Sequence, residues 1–339
     1  MNKNNYFFYR QKSNIYLLLV FLLSIWILAA CGAGAPTAEV EKLPPLPEGQ
    51  KGMLPPRDVA SNIVAKPQFS DVAYATVSPT QKCDIYLPEG DGPFPLVMRV
   101  HGGGFIMGDK ASSDATIGVD ALLSIGFAVV SVNYRLSDEA KAPAQIQDVK
   151  AAVRFLRTNA QKYNLNPEKF AAWGSSAGGS LVALLGTSCA IETLEGAELG
   201  NADQSSCIQA VVDWFGPIDF LKMDEQFAGT SCPANHNDAN SPESKLVGVS
   251  IQDDPDLSKV VNAMTYITKN APPFFIQHGT ADCNVPAQQS QMLYEALKSA
   301  IGEEKVTYTL LDGAEHGGSQ FSNEANIGKV IEFLSKYLK

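Results

Sequence analysis

The sequence predicts an α/β fold, a mostly parallel central sheet with helices on both faces. Apolar runs near 95–100, 127–132, 169–173, 208–214, 273–278 and 306–311 are separated by stretches of helical periodicity. Strands alternating with helices join into a parallel sheet that is covered on both sides. The stretch 142–158 places Ile146, Val149, Val153 and Leu156 on one helical face, and the last stretch does the same with Ile327, Val330, Ile331, Leu334 and Leu338. His101, Ser176, Asp282 and His316 each follow one of the apolar runs. In open α/β sheets ligands bind beyond the carboxyl ends of the strands, so these four positions are expected to meet.

From the start of the chain, Lys3, Arg10 and Lys12 precede an apolar run, Ile15 to Ala30, which closes on Leu28-Ala29-Ala30-Cys31. That layout predicts a secretory signal over residues 1–30. The four closing residues match a bacterial lipobox, in which Cys31 becomes the lipidated first residue, with localisation in the cell envelope, at the outer membrane if the cell is Gram-negative. Residues 31–60 carry Pro36, Pro44, Pro45, Pro47, Pro55 and Pro56 and read as an extended tether. Residues 61–339 are long enough for one large catalytic domain. Two β-rich segments, Phe69–Thr76 and Cys83–Leu87, predict an antiparallel start to its sheet. The polar, Pro-containing stretch 217–272 predicts a small cap insertion over the site, and Phe215, Phe220 and Phe227 are candidates for its pocket or for core.

The whole chain has a net charge of −10; residues 1–30 hold three basic residues and no acidic one, so removing them takes the charge to −13. So acidic a chain argues against nucleic acid, whose phosphates need basic patches. Cys83, Cys189, Cys207, Cys232 and Cys283 follow Cys31 without metal-type C-x-x-C spacing. In an oxidising compartment, Cys189 with Cys207 can close a polar loop and Cys232 with Cys283 can tie the cap to the segment after Asp282, leaving Cys83 as a buried thiol.

Two glycine motifs carry the chemistry. Gly174-Ser175-Ser176-Ala177-Gly178 has the spacing of a sharp strand-to-helix turn, in which small residues on either side let the serine hydroxyl stand clear. His101-Gly102-Gly103-Gly104 lets the main chain approach a substrate closely, so the N–H groups of Gly103 and Gly104, with that of Ala177, are expected to hold an oxyanion. His101 is assigned to orienting that loop. On this scaffold the partners run Ser, then acid, then His along the chain. Beyond Ser176 stand His236, His278 and His316. His278 belongs to the apolar run that leads into Asp282, and His236 lies in a polar stretch with no strand before it, which leaves His316 as the base and Asp282 as its acid. Asp213, Asp219 and Asp254 are rival acids without a strand-end slot. Such a triad needs no metal and no cofactor.

In these segments the chain resembles the α/β-hydrolases of the hormone-sensitive-lipase group, and most closely the Bacteroidetes-type feruloyl esterase branch of carboxylesterases. The shared features are His101–Gly104, Asn133-Tyr134-Arg135, Gly174–Gly179, Ser241-Pro242-Glu243-Ser244, the His278–Asp282 segment and His316. Ser175 departs from the group, where Asp is usual. The resemblance implies a serine carboxylesterase acting on feruloyl, acetyl or related esters of plant-polysaccharide or small-molecule alcohols. An arylformamidase-like amide hydrolase and a non-catalytic binding module are the alternatives. The lipobox predicts that full-length protein sediments with membranes and that Cys31→Ser moves it to the soluble or unprocessed fraction; wild-type protein that is soluble and unmodified at residue 31 by mass spectrometry would exclude the anchor.

Overall fold

The computed structural model describes residues 65–339, so the signal and tether readings of 1–60, with Cys31, lie outside the described residues. Eight strands form one sheet: β1 Phe69–Ala73, β2 Lys82–Tyr86, β3 Phe94–Val100, β4 Ala128–Val132, β5 Leu165–Ser175, β6 Ala210–Trp214, β7 Phe274–Gly279 and β8 Val306–Leu311. Their order is β1-β2-β4-β3-β5-β6-β7-β8. β1 and β2 pair antiparallel, β2 joins β4 antiparallel, and the remaining pairs are parallel. The helices are α1 Ser113–Thr116, α2 Val119–Ser124, α3 Ala144–Thr158, α4 Ala177–Thr187, α5 Met223–Phe227, α6 Pro242–Val247, α7 Pro255–Val260, α8 Gln288–Ile301, α9 Ser319–Ser322 and α10 Glu324–Leu338.

The two-residue alternation of β3 shows how the layers form. Leu96, Met98 and Val100 face a core shared with Ile146, Val149 and Val153 of α3, Leu181 and Leu185 of α4, and Leu293 and Leu297 of α8. Val97 faces the opposite core, with Val119 and Leu122 of α2 and Ile327, Val330 and Leu334 of α10. Both faces of the strands are therefore apolar, which is why the strands read as continuous hydrophobic runs. Each such side chain contributes about 1.5–3 kcal/mol by leaving water. The helical faces expected for 142–158 and for the chain's last helix are the faces that α3 and α10 bury. Ile331 of α10 stands at the margin, packed against its core but only partly buried.

Residues 217–272 hold α5, α6 and α7 and no strand. Short helices suit this stretch because two of the three carry their own start signal: Ser241 caps α6 by accepting from the Ser244 N–H at 3.0 Å, and Asp254 caps α7 by accepting from the Leu257 N–H, each with proline in the first turn. Among the described residues two disulfides are present, Cys189–Cys207 and Cys232–Cys283, and Cys83 is a buried free thiol. The second bridge joins the segment before α6 to the loop after β7.

Asp213 lies inside β6, fully buried, against the helix that the glycine turn launches. Its Oδ1 accepts from the Gly216 N–H at 3.0 Å, and its Oδ2 has no partner among the described residues. Burial pushes its carboxyl up from an ordinary value of 3.8 to about 7, against the pull of the Gly216 hydrogen bond. A folded-state value raised above the unfolded one gives stability that is complete at low pH and is lost as pH rises through the folded value. Asp213→Asn should therefore flatten the decline in unfolding free energy between about pH 4 and pH 8, a decline of at most roughly 4 kcal/mol from this residue; the same slope in both proteins would contradict the assignment. Cys232→Ser together with Cys283→Ser opens a closure of 51 residues and should lower stability by about 2–4 kcal/mol in denaturant titrations under non-reducing conditions.

Candidate active site

β5 ends at Ser175, and the next residue, Ser176, has φ 55° and ψ −125°. A side-chain-bearing residue adopts that left-handed backbone only where its surroundings impose it. Here they do. A Cβ on Gly174 would lie 2.2 Å from the Gly178 carbonyl oxygen, and one on Gly178 would lie 2.1 Å from the Val100 carbonyl oxygen. With no side chain at either position, α4 packs down onto the ends of β3 and β5 and Ser176 is held at the crest. Its backbone N–H donates to the Trp214 carbonyl at 2.9 Å, which fixes the turn to β6.

The acid comes from the loop after β7. Asp282 Oδ1 accepts the backbone N–H groups of Asn284 at 2.8 Å and Val285 at 2.9 Å. Its Oδ2 stands 2.7 Å from His316 Nδ1, and His316 Nε2 stands 2.8 Å from Ser176 Oγ. With Nδ1–H donating to the carboxylate, Nε2 is left as an acceptor for the serine proton. Burial would raise the Asp282 carboxyl, but hydrogen bonds from His278 and His316 outweigh it and hold the group well below the usual carboxylate range. Asp282 is thus an anion at any pH at which the site can work.

His278 is a donor to Asp282 that its place in an apolar strand conceals. Its Nε2 lies 3.2 Å from Asp282 Oδ2 and 2.9 Å from the Val285 carbonyl, while the Ser290 hydroxyl at 2.7 Å from Nδ1 sets the tautomer. Asp114, on α1, is a second residue that sequence reasoning misses. Its Oδ2 accepts the Gly102 N–H at 2.5 Å and the Ser175 hydroxyl at 3.2 Å. Arg99 of β3, fully buried over the Trp173 ring, donates to the carbonyls of Asp114 and Ala115 and so pins α1 in place. The Asp114 carboxylate stands where the Ser175 hydroxyl can use it, beside the turn.

The glycine loop is shaped as expected. Gly103 and Gly104 have φ of 100° and 60°, and a Cβ on Gly103 would lie 2.2 Å from the Met107 carbonyl oxygen. Their N–H groups have no backbone acceptor among the described residues. Ala177 opens α4, in the turn whose N–H groups have no intrahelical partner and where the helix dipole favours negative charge. His101 is buried, stacked on Tyr134 at 4.3 Å, with its Nδ1 2.8 Å from the Gly102 carbonyl, while the Tyr134 hydroxyl donates to the His101 carbonyl at 3.0 Å.

These groups surround a cleft of about 650 Å³. Gly103, Gly104, Ser176, Ala177 and His316 line it together with Phe215 and Phe321, and the 217–272 stretch contributes Pro233, Asn235, His236, Pro242 and Glu243. Phe215 also packs on His316, with ring centroids 4.7 Å apart, whereas Phe220 and Phe227 are buried and do not line the cleft. Of the rival acids, Asp219 and Asp254 cap short helices and Asp213 is buried under β6. His236 makes no contact with Ser176; it pairs with Glu243 in the cleft wall. Among the described residues no group of three or more His, Cys, Asp or Glu side chains is placed to hold a metal ion.

Comparison with known proteins places this geometry in a family. The BD-FAE family model matches residues 83–297. Esterase LipC of Mycobacterium tuberculosis is 31% identical over 225 residues, which are 66% of this chain and 53% of that protein. The chain spans about half the length of the curated relatives it matches. Among solved structures, a bifunctional GH43-CE protein of Bacteroides eggerthii is 38% identical with a TM-score of 0.71, covering 79% of this chain and 35% of that one. A truncated carbohydrate esterase from gut microbiota is 34% identical with a TM-score of 0.72, covering 80% and 96%. With the glycine turn, the strand-end order and the match over most of the described chain in agreement, the protein belongs to the BD-FAE family of α/β-hydrolases.

Proposed function

We propose that this protein is a serine carboxylesterase in which Ser176 is the nucleophile, His316 the general base and acid, and Asp282 the carboxylate that orients and stabilises the imidazole. The continuous relay from Asp282 Oδ2 through His316 to Ser176 Oγ, with steps of 2.7 and 2.8 Å, is the observation that carries this reading. Ser176 Oγ attacks the ester carbonyl as His316 Nε2 takes its proton. The carbonyl oxygen becomes an anion held by the N–H groups of Gly103, Gly104 and Ala177, donors whose placement before reaction is the main source of rate. Collapse breaks the bond to the alcohol, and His316 returns the proton to that leaving oxygen. Water, deprotonated by His316, then attacks the acyl-serine; the bond to Ser176 Oγ breaks, His316 returns the proton to that oxygen, and the carboxylic acid is released.

The alcohol is a carbohydrate or a comparable hydroxylated molecule, and the acyl group is acetyl, feruloyl or a related acid. Supporting this are two solved relatives above 30% identity, which are described as a bifunctional GH43-CE protein and a carbohydrate esterase. The Leu28–Cys31 pattern supports export and anchoring through a lipid on Cys31.

Wild-type protein and Ser176→Ala should be compared on 4-nitrophenyl acetate, methyl ferulate and acetylated xylan. The wild type should hydrolyse at least one of these, and the variant should lose about 10⁴-fold or more in kcat while keeping its thermal midpoint within a few degrees. An undiminished variant would overturn the assignment of the nucleophile, and wild-type cleavage of amides alone would overturn the ester reading.

A further inference from the structure

One carboxylate oxygen joins the two glycine motifs. Asp114 Oδ2 accepts the Gly102 N–H of the glycine loop at 2.5 Å and, at 3.2 Å, the hydroxyl of Ser175 in the turn that carries Ser176. The motifs meet closely there, since a Cβ on Gly102 would lie 2.9 Å from the Ser175 carbonyl oxygen and 3.2 Å from the Ser176 Cβ. Asp114 is itself anchored. Its Oδ1 lies 2.7 Å from the Ser112 hydroxyl, and its carbonyl accepts from the buried Arg99 guanidinium at 2.6 Å. Burial would raise its carboxyl, but the bonds from Gly102 and Ser112, with the nearby Arg99 charge, outweigh it and hold the group below its ordinary value.

The consequence falls on the peptides that follow. A trans peptide points its C=O and N–H in opposite directions, and no bond between His101 and Gly104 is cis. The His101–Gly102 peptide is held at both ends, its carbonyl by the Tyr134 hydroxyl at 3.0 Å and its N–H by Asp114. The Gly102 carbonyl lies 2.8 Å from His101 Nδ1, and since a carbonyl can only accept, that nitrogen carries the proton. The Gly103 carbonyl accepts from the Ile106 and Met107 N–H groups at 3.1 Å each. With both carbonyls turned into the loop, the Gly103 and Gly104 N–H groups are turned out of it. Consecutive glycines do not keep such orientations unaided, because glycine populates positive and negative φ about equally. Asp114 supplies a fixed point for the loop, and it takes that point from the nucleophile's own turn.

We propose that Asp114 is a positioning residue, which sets the separation between the Ser176 hydroxyl and the N–H groups that receive the oxyanion. This role rests on the ester-hydrolase reading of the cleft and adds what keeps its oxyanion donors in reach of the nucleophile. Asp114 acts through the shape of its acceptor, which bonds loop and turn at once. Losing one oxyanion donor outright costs about 10²–10³ in kcat. Loosening the donors without deleting them should cost less, about 10- to 100-fold.

Wild type, Asp114→Ala and Asp114→Asn are to be compared in kcat and KM on 4-nitrophenyl acetate and 4-nitrophenyl butyrate. Asparagine keeps the acceptor toward Gly102 and Ser175, and its amide can donate to the Ser112 hydroxyl, which has the Asp109 carbonyl for its own proton. Asp114→Ala should lower kcat about 10- to 100-fold on both esters while KM stays within about threefold, the pattern of an interaction lost in the transition state alone. Asp114→Asn should recover kcat to within about fivefold of the wild type, the remainder reflecting the weaker bond of a neutral acceptor. If Asp114→Ala does not fold, Asp114→Leu, which fills the same space without an acceptor, is read in its place. A folded Ala or Leu variant with kcat within about threefold of the wild type overturns the role. A loss carried by KM, or confined to one ester, does so too, since it would mean that Asp114 touches the substrate. An Asn variant as impaired as the Ala variant also overturns it. A wild type that hydrolyses neither ester overturns the ester reading and this role with it.

Discussion

The close approach of α4 to the ends of β3 and β5 is the constraint on which the rest of the site depends. A carbonyl oxygen occupies the space where a Cβ would stand at Gly174 and at Gly178. Only because both positions are bare can the chain turn from strand to helix within one residue, and only that turn puts Ser176 at φ 55° with its hydroxyl above the sheet. The same descent of α4 sets its first N–H groups beside the glycine loop and presses its underside onto the buried Asp213. The strain at Ser176, the placing of its hydroxyl and the free N–H groups beside it are three consequences of one packing event.

Much of this is legible in the amino-acid sequence because close backbone contact leaves a local mark: where no Cβ fits, only glycine can stand. Gly103, Gly174 and Gly178 can therefore be found without any knowledge of what lies opposite them. The strands are legible because burial on both faces makes them continuously apolar, and Asp282 and His316 follow from their places at strand ends. The groups that sequence reasoning misses act through space. Asp114 works by folding a four-residue helix back over the Gly102 amide, and nothing periodic marks it. His278 sits inside an apolar strand and is passed over as part of it, although it shares Asp282 with the base. His236 is set aside as the base, and its polar surroundings hide the fact that it meets Glu243 in the cleft wall.

The Cys232–Cys283 bridge couples two parts of the site that would otherwise be independent. It fixes the segment carrying His236 to the residue after Asp282. The carboxylate bonded to His316 and the cleft wall opposite it are thereby held by one covalent tie. Asp282 has further support, with two backbone N–H groups on one oxygen and two imidazoles on the other, so its anionic state is heavily favoured. In the proposed reaction, that arrangement makes the carboxylate a fixed electrostatic partner for the imidazolium that would form during attack.

The central claim is that the relay activates Ser176 and no other serine. Its most direct measurement is peptide mass spectrometry after brief exposure of the folded protein to a fluorophosphonate, which reacts only with an activated hydroxyl. The account predicts a single adduct on Ser176 that forms far more slowly in His316→Gln. An adduct on Ser175, or labelling of Ser176 at an unchanged rate without His316, would contradict it.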